Sequence, residues 1–299
     1  MKLALDPQTF FATSTAWELP DIVAGLGYEW MEPSPKADFM PFSKHPRVDD
    51  AGVRRLKKAA SDAGVGIASL LPVLRWSGPG EDERQAAVRA WRRIIQIAVD
   101  LGVDTINTEF NSRPEAAEHA DAQFLRSMDE LAPVFEAESI QLILEPHPDD
   151  FVEDGLDAVN LVRGLNRDWI GFLDCTPHAF HQGHDATTVS TAAAEKVRYV
   201  HLADASDQTA SNGLRYITNP PGNPVRVHQH METGRAEVDY DAVFVALAAV
   251  GFDGVVSSCV FGFEEDARGI SERQRVKATA LIDLHFGGDA GTTTPSIRN

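Results

Sequence analysis

The sequence predicts a single α/β domain closed into a (β/α)8 barrel, the TIM barrel, and three observations predict it. Eight short apolar runs alternate with segments of helical period along nearly the whole chain. Glycines stand where a helical pattern gives way to the next run. Three successive runs end in a carboxylate or an imidazole, and the strand ends of a parallel barrel are where its ligands sit.

In order, the runs are Leu3 to Asp6, Tyr28 to Pro33, Val65 to Leu74, Val103 to Phe110, Gln141 to His147, Ile170 to Asp174, Val197 to Ala203 and Gly254 to Phe261. Each is too short and too evenly apolar for a helix, as expected of a strand buried on both faces. Between them, Val88, Trp91, Ile95, Ala98 and Leu101 recur at helical spacing, as do Tyr240, Phe244, Leu247 and Val250. Gly25, Gly27, Gly64, Gly102 and Gly251 fall where a left-handed cap would end a helix. No glycine-rich phosphate loop follows the first run, which argues against a doubly wound open sheet. The barrel is expected over residues 1–286, followed by a flexible tail over 287–299.

Two connections are longer than the rest. Glu32 to Pro46 carries four prolines and is expected to pass over one side of the barrel mouth. Ser206 to Ala236 has no helical pattern and contains Asn219-Pro-Pro-Gly222 and Arg226-Val-His-Gln-His230; in an extended run Arg226, His228 and His230 would share one side.

Composition narrows the function. Against 45 Asp and Glu stand 27 Lys and Arg, a formal charge of −18 that would repel a phosphate backbone, so nucleic acid is not expected as a partner. No apolar stretch approaches the roughly 18 residues of a membrane span, and no signal peptide is recognisable, so the expectation is a cytoplasmic protein without a membrane partner. Cys175 and Cys259 fall in strands and are expected to be buried, reduced and inert.

The chemistry gathers at runs five to seven. Run five ends in Glu145 and His147, run six in Asp174-Cys-Thr-Pro-His178, and run seven in His201-Leu-Ala-Asp204. Two carboxylates and an imidazole at consecutive strand ends can hold a hard or borderline divalent cation. Alone, such a Glu more often orders a loop and such a His more often packs semi-buried; the consecutive placement favours a site. Asp204, just past its strand, is expected to cap a turn. Run eight offers no carboxylate, and the nearest are Glu264 and Glu265, of which Glu264 is favoured; the pair could equally solvate the start of the last helix.

With Leu144-Glu-Pro146, Asp174 followed by His178, Val200-His-Leu-Ala-Asp204 and Gly251-Phe-Asp-Gly254, the chain resembles the xylose-isomerase-like barrels, the sugar phosphate isomerase/epimerase superfamily, over about residues 1–285. Together with Thr176-Pro-His-Ala-Phe180 and the motifs after run seven, it looks most like the large subunits of bacterial C-glycoside deglycosidases. The resemblance implies a divalent ion, Mn²⁺ first, with Mg²⁺, Co²⁺ or Zn²⁺ as alternatives, held by Glu145, Asp174, His201 and Glu264. It implies proton abstraction at C2 of a 3-oxo-C-glucoside and β-elimination of the aglycone; beside Glu145, His147 is the first choice for the base because an imidazole titrates near neutral pH, the other reading being that it only orients Glu145. His178, Arg226, His228 and His230 would contact the sugar, and a smaller second subunit is implied as partner. The alternative is a metal-dependent sugar isomerase or ketose 3-epimerase. Two departures stand out: Asp174 precedes His178 by four positions where the family has three, and Cys259 stands where strand eight usually supplies a Glu.

Overall fold

The computed structural model describes residues 1–112, 116–206, 229–262 and 264–287. Eight parallel strands appear in the expected places: β1 (Lys2–Leu5), β2 (Trp30–Met31), β3 (Gly66–Ile67), β4 (Thr105–Glu109), β5 (Gln141–Glu145), β6 (Ile170–Cys175), β7 (Val197–Leu202) and β8 (Val255–Ser258). Their order is β3-β2-β1-β8-β7-β6-β5-β4. A parallel bridge between Leu70 and Ile106 joins the chain after β3 to β4 and closes the ring. β1 and β5 therefore face each other across it.

Nine helices are described: α1 (Leu19–Gly25), α2 (Asp50–Ala63), α3 (Glu81–Leu101), α4 (Ala117–Glu138), α5 (Gly155–Leu165), α6 (Thr176–His181), α7 (Thr188–Ala193), α8 (Tyr240–Ala249) and α9 (Ala267–Phe286). Side chains start three of the longer ones: Asp49, Asp154 and Asp239 accept from the first-turn amides of α2, α5 and α8. Gly64 and Gly102 end α2 and α3 in the left-handed conformation, as the sequence suggested. Gly25 instead closes α1 within the helix, and Gly27 takes the positive φ. Among the described residues, no helix is long and apolar enough to cross a membrane.

Strand alternation decides what faces the barrel interior. Ala4, Ala68, Ile143, Leu173, Cys175, Tyr199 and Val255 pack together inside it. With Leu173 and Cys175 pointing in, Asp174 points out, toward the helices. Its carboxylate accepts a short hydrogen bond from Ser190 of α7. At the start of β8 the backbone comes so close to β7 that a Cβ on Gly254 would lie 2.0 Å from the Arg198 carbonyl oxygen, which explains the glycine.

The segment returning from the long connection after β7 is tied to its beginning. Asp204 and Met231 exchange backbone hydrogen bonds, and the Ser206 amide donates to Gln229 Oε1 at 2.7 Å. The Asp204 carboxylate accepts from the amides of Ala205, Gly234, Ala236 and Val238. The expected turn-capping role of Asp204 is thus a larger clasp that fixes the return of the chain and, with it, His230. Arg226 and His228 lie outside the described residues, as does the predicted tail beyond residue 287.

Candidate active site

Six strands bring polar side chains to the carboxyl end of the barrel: Asp6 after β1, Glu32 after β2, Glu109 in β4, Glu145 in β5, Cys175 in β6 and His201 in β7. His147, His230 and Cys259 join them from the loops, and His178 from α6. His201 lies at the centre. Its Nδ1 is 3.2 Å from Glu145 Oε1 and its Nε2 is 3.2 Å from Glu32 Oε2. Glu32, fully buried, also accepts from Asn107 Nδ2 at 2.6 Å and Ser69 Oγ at 3.1 Å.

These contacts set the charge states. Burial opposes a charge on His201, yet the flanking Glu145 and Glu32 carboxylates override it and raise its pKa well above the ordinary value. Burial would raise Glu32 too, but the charge and hydrogen bonds of His201, with other donors, hold it below the usual carboxylate range. Glu109 goes the other way: burial, then the nearby Glu145 charge, raise it to about 8. Burial, then Glu32, raise Asp6 to about 7. Asp150, which accepts from the Asn111 and Ser112 amides, is raised to about 7 by burial and then by Glu109.

Two cavities meet at this cluster. An inner one of about 150 Å³ lies over Glu145, His178 and His201 and reaches Asp6 and Cys259. An outer one of about 480 Å³ is lined by Arg75, Pro79, Asn111, Pro148 and Asp149 among others. Phe42, Glu109 and His147 line both and so form the wall between them. Of the aromatic residues nearby, Phe42 is half exposed, whereas Phe39, Trp76 and Phe110 are core residues.

His147 Nε2 is 3.6 Å from Glu109 Oε1, and its Nδ1 is 2.8 Å from the Pro148 carbonyl. A carbonyl only accepts, so Nδ1 carries the hydrogen and Nε2 is the basic nitrogen. On the opposite wall, Asp6 accepts from Ser34 Oγ at 2.7 Å, and Cys259 Sγ is 3.7 Å from its Oδ2.

The expected donors are only partly brought together. Glu145, His201 and the sulfur of Cys175 are all buried, with ligand atoms within 4.8 Å of one another, a carboxylate, imidazole and thiol set that suits a divalent cation. Asp174 is not among them, because alternation along β6 turns it outward and gives the inward place to Cys175. The spacing from Cys175 to His178 is the three positions that Asp174 lacked. Glu264 is exposed in a 3₁₀ turn ahead of α9, outside the cluster, and Cys259 lines the cavity at the end of β8. Both cysteines are buried and reduced as expected, and both side chains reach the site. Glu32, Glu109 and Asp6 are site residues that the sequence alone does not single out, although Asp6 and Glu32 follow an apolar residue at a strand end as Glu145 does.

Fold and site together define a (β/α)8 barrel with a buried donor cluster at the carboxyl ends of its strands. The chain belongs to the Xylose isomerase-like TIM barrel family, whose model matches residues 20–279. No curated protein matches it in sequence. Among solved structures it is similar to IolI protein with a bound zinc atom, at 18% identity and a TM-score of 0.75 over 96% of this chain and 99% of that one. It is also similar to D-psicose 3-epimerase in the presence of D-fructose (15% identity, TM-score 0.71, 96% of this chain and 100% of that one). A third is 3-keto-D-glucoside 4-epimerase, YcjR, from E. coli (16% identity, TM-score 0.68, 92% and 99%).

Proposed function

We propose that this protein is a divalent-cation-dependent sugar isomerase or epimerase that moves a proton on a carbon next to a carbonyl. The observation that carries the reading is a pair of proton-bearing walls facing each other across the inner cavity. Glu109 and His147 stand on the β4–β5 side, and Asp6 stands on β1, diametrically opposite. Inverting a carbon requires a group on each face, and the carboxyls on both walls are held near neutrality, where they can gain and lose protons. The epimerases among the structural neighbours support the same class.

A divalent cation at Glu145 and His201 would polarise the substrate carbonyl and stabilise negative charge developing on its oxygen. His147 Nε2 takes the proton from the adjacent carbon, its ring held by the bond to Pro148. Glu109, protonated at neutral pH, lends a proton to the substrate oxygen on that side and takes it back when the carbonyl re-forms, while Asp6 gives one to the opposite face of the carbon, so that one proton leaves the carbon and one returns. Glu32 fixes the His201 ring.

A second reading is favoured by the outer cavity. A 480 Å³ space beyond the Glu109–His147 wall has room for a group attached to the sugar. The substrate would then be a 3-oxo-C-glucoside, with His147 removing the C2 proton and the aglycone leaving by β-elimination. That reaction needs one base, so Asp6 would be dispensable. It is also the reading in which a smaller second subunit is expected.

The deciding assay incubates the Zn²⁺- or Mn²⁺-loaded protein with ketohexoses and, separately, with a 3-keto-C-glucoside. Epimers or isomers are expected. Aglycone release without epimers would replace the first reading by the second, and inertness toward both would remove the two together.

A further inference from the structure

The outer cavity has walls that the chain fixes in place. Asp150 ties two loops together along one side, accepting from the backbone amides of Asn111 and Ser112 after β4 and of Phe151 after β5. On the other side the Pro79 carbonyl accepts from His119 Nε2 of α4 at 2.7 Å, and Ser77 Oγ donates to the Phe110 carbonyl at 2.6 Å. A space bounded by fixed loops needs little ordering when it is filled. Its volume of about 480 Å³ lies within the range of ordinary ligand sites, whereas the inner cavity is about 150 Å³.

The lining mixes flat apolar faces with groups that donate and accept. Phe42, half exposed, and Pro79 and Pro148 supply the faces. Between them stand Arg75, which only donates, Asp149, which only accepts, and Asn111, which does both. Asn111 takes the left-handed conformation (φ 53°) that asparagine tolerates, and its Nδ2 lies 3.5 Å from Glu109 Oε2, against the wall that both cavities share. A ring with C–H bonds on its face and hydroxyls around its edge satisfies such a lining. A wholly apolar ring would strip water from Asn111 and Asp149 and give nothing back. An anionic group would gain Arg75 but meet the charge of Asp149.

We propose that the outer cavity is a subsite for a second, uncharged sugar ring, so that the substrate is a sugar carrying another sugar rather than a free monosaccharide. Phe42 is the platform, and Arg75, Asn111 and Asp149 read the hydroxyls. Because Phe42, Glu109 and His147 line both cavities, the two rings would lie side by side across those residues. The inference rests on the isomerase or epimerase reading, whose sugar occupies the inner cavity over Glu145 and His201.

The test compares affinities rather than turnover. Full-length, Zn²⁺-loaded protein is titrated calorimetrically with D-fructose and with turanose, maltulose, leucrose and isomaltulose, in which a glucose is attached at successive oxygens of fructose. At least one disaccharide should bind about tenfold tighter than D-fructose, as one or two added hydrogen bonds would give, and its glucose protons should receive saturation transfer from the protein. Arg75→Ala and Phe42→Ala, both at exposed positions, should each remove most of that advantage while circular dichroism stays native. Equal affinity for D-fructose and every disaccharide, or an advantage kept in both variants, would overturn the subsite and leave the epimerase reading to its own assay. D-fructose 6-phosphate gaining more than any disaccharide, with the gain lost in Arg75→Ala, would overturn it in favour of an anion site. Binding of no sugar at all would remove the occupant of the inner cavity and both conclusions with it.

Discussion

Glu109 and His147 face each other over 3.6 Å in the wall between the two cavities, one a carboxyl held neutral, the other a ring whose basic nitrogen points at it. Because Glu109 loses its proton near pH 8, its service as an acid ends above that pH. Glu109→Gln is expected to lower turnover by about 10²- to 10⁴-fold and to erase the alkaline limb of the pH–rate profile. A variant that keeps that limb would place the titrating acid elsewhere.

Asp6 offers a cleaner separation of the two faces. In Asp6→Asn, epimer formation should fall by about 10²-fold or more, while the substrate proton still exchanges with deuterium from solvent through His147. Equal loss of both signals would show that Asp6 does not deliver the second proton.

Glu32 touches His201 but reaches the donor set only through it. Removing its charge leaves the ring less firmly held and less basic, so Glu32→Gln should weaken cation binding by about 10- to 100-fold, read by calorimetric titration. An unchanged affinity would reduce Glu32 to packing.

Asp174 supplies the contrast. Its partner is Ser190 on the helix layer, and Asp174→Ala leaves that hydroxyl unsatisfied at a cost of about 1–3 kcal/mol. The melting temperature should drop while cation affinity stays as in the wild type. If affinity collapsed instead, the outward placement of Asp174 would be wrong.

Stability of the chelated protein should fall as pH rises. Glu109, Asp6 and Asp150 bind protons more tightly folded than unfolded, so the folded state holds extra protons between their ordinary values and about 7 to 8 and loses that advantage as pH climbs. His201, raised by its carboxylates, has the same sign: its contribution is complete below its ordinary value and disappears through its raised one. Between about pH 6 and about pH 9 we expect losses of at least about 1 kcal/mol, a fall of several degrees in a thermal scan. Added Zn²⁺ should rescue more at the alkaline end, where it replaces the missing protons.

How much of this could be read from the sequence depended on which signal each residue carries. Buried parallel strands announce themselves as short apolar runs, so all eight were legible, as were Glu145 and His201 at the ends of theirs. The side a strand residue faces was not legible: Asp174 and Cys175 differ by one position, and the register of β6 against β7 shifts between Phe172 and Leu173, where no residue marks the irregularity. Chemical type favoured the aspartate, and alternation chose the cysteine. Asp6 and Glu32 were within reach, since Leu5-Asp6 and Met31-Glu32 repeat the pattern of Leu144-Glu145, whereas Glu109 follows the polar pair Asn107-Thr108. His230 was singled out by the Arg226-Val-His-Gln-His230 motif, and the Asp204 clasp brings it to His178.

That clasp decides where the chain comes back to the barrel. With Asp204 paired to Met231 and Ser206 to Gln229, the chain leaves the barrel and re-enters it through one narrow, self-sufficient gate. The four amides that Asp204 accepts fix where the chain re-enters, and His230 meets the Cys259 carbonyl from that end of the clasp. The clasp works as a splice: it joins the two ends of a long connection, so that the histidine at its exit meets the chain just past β8.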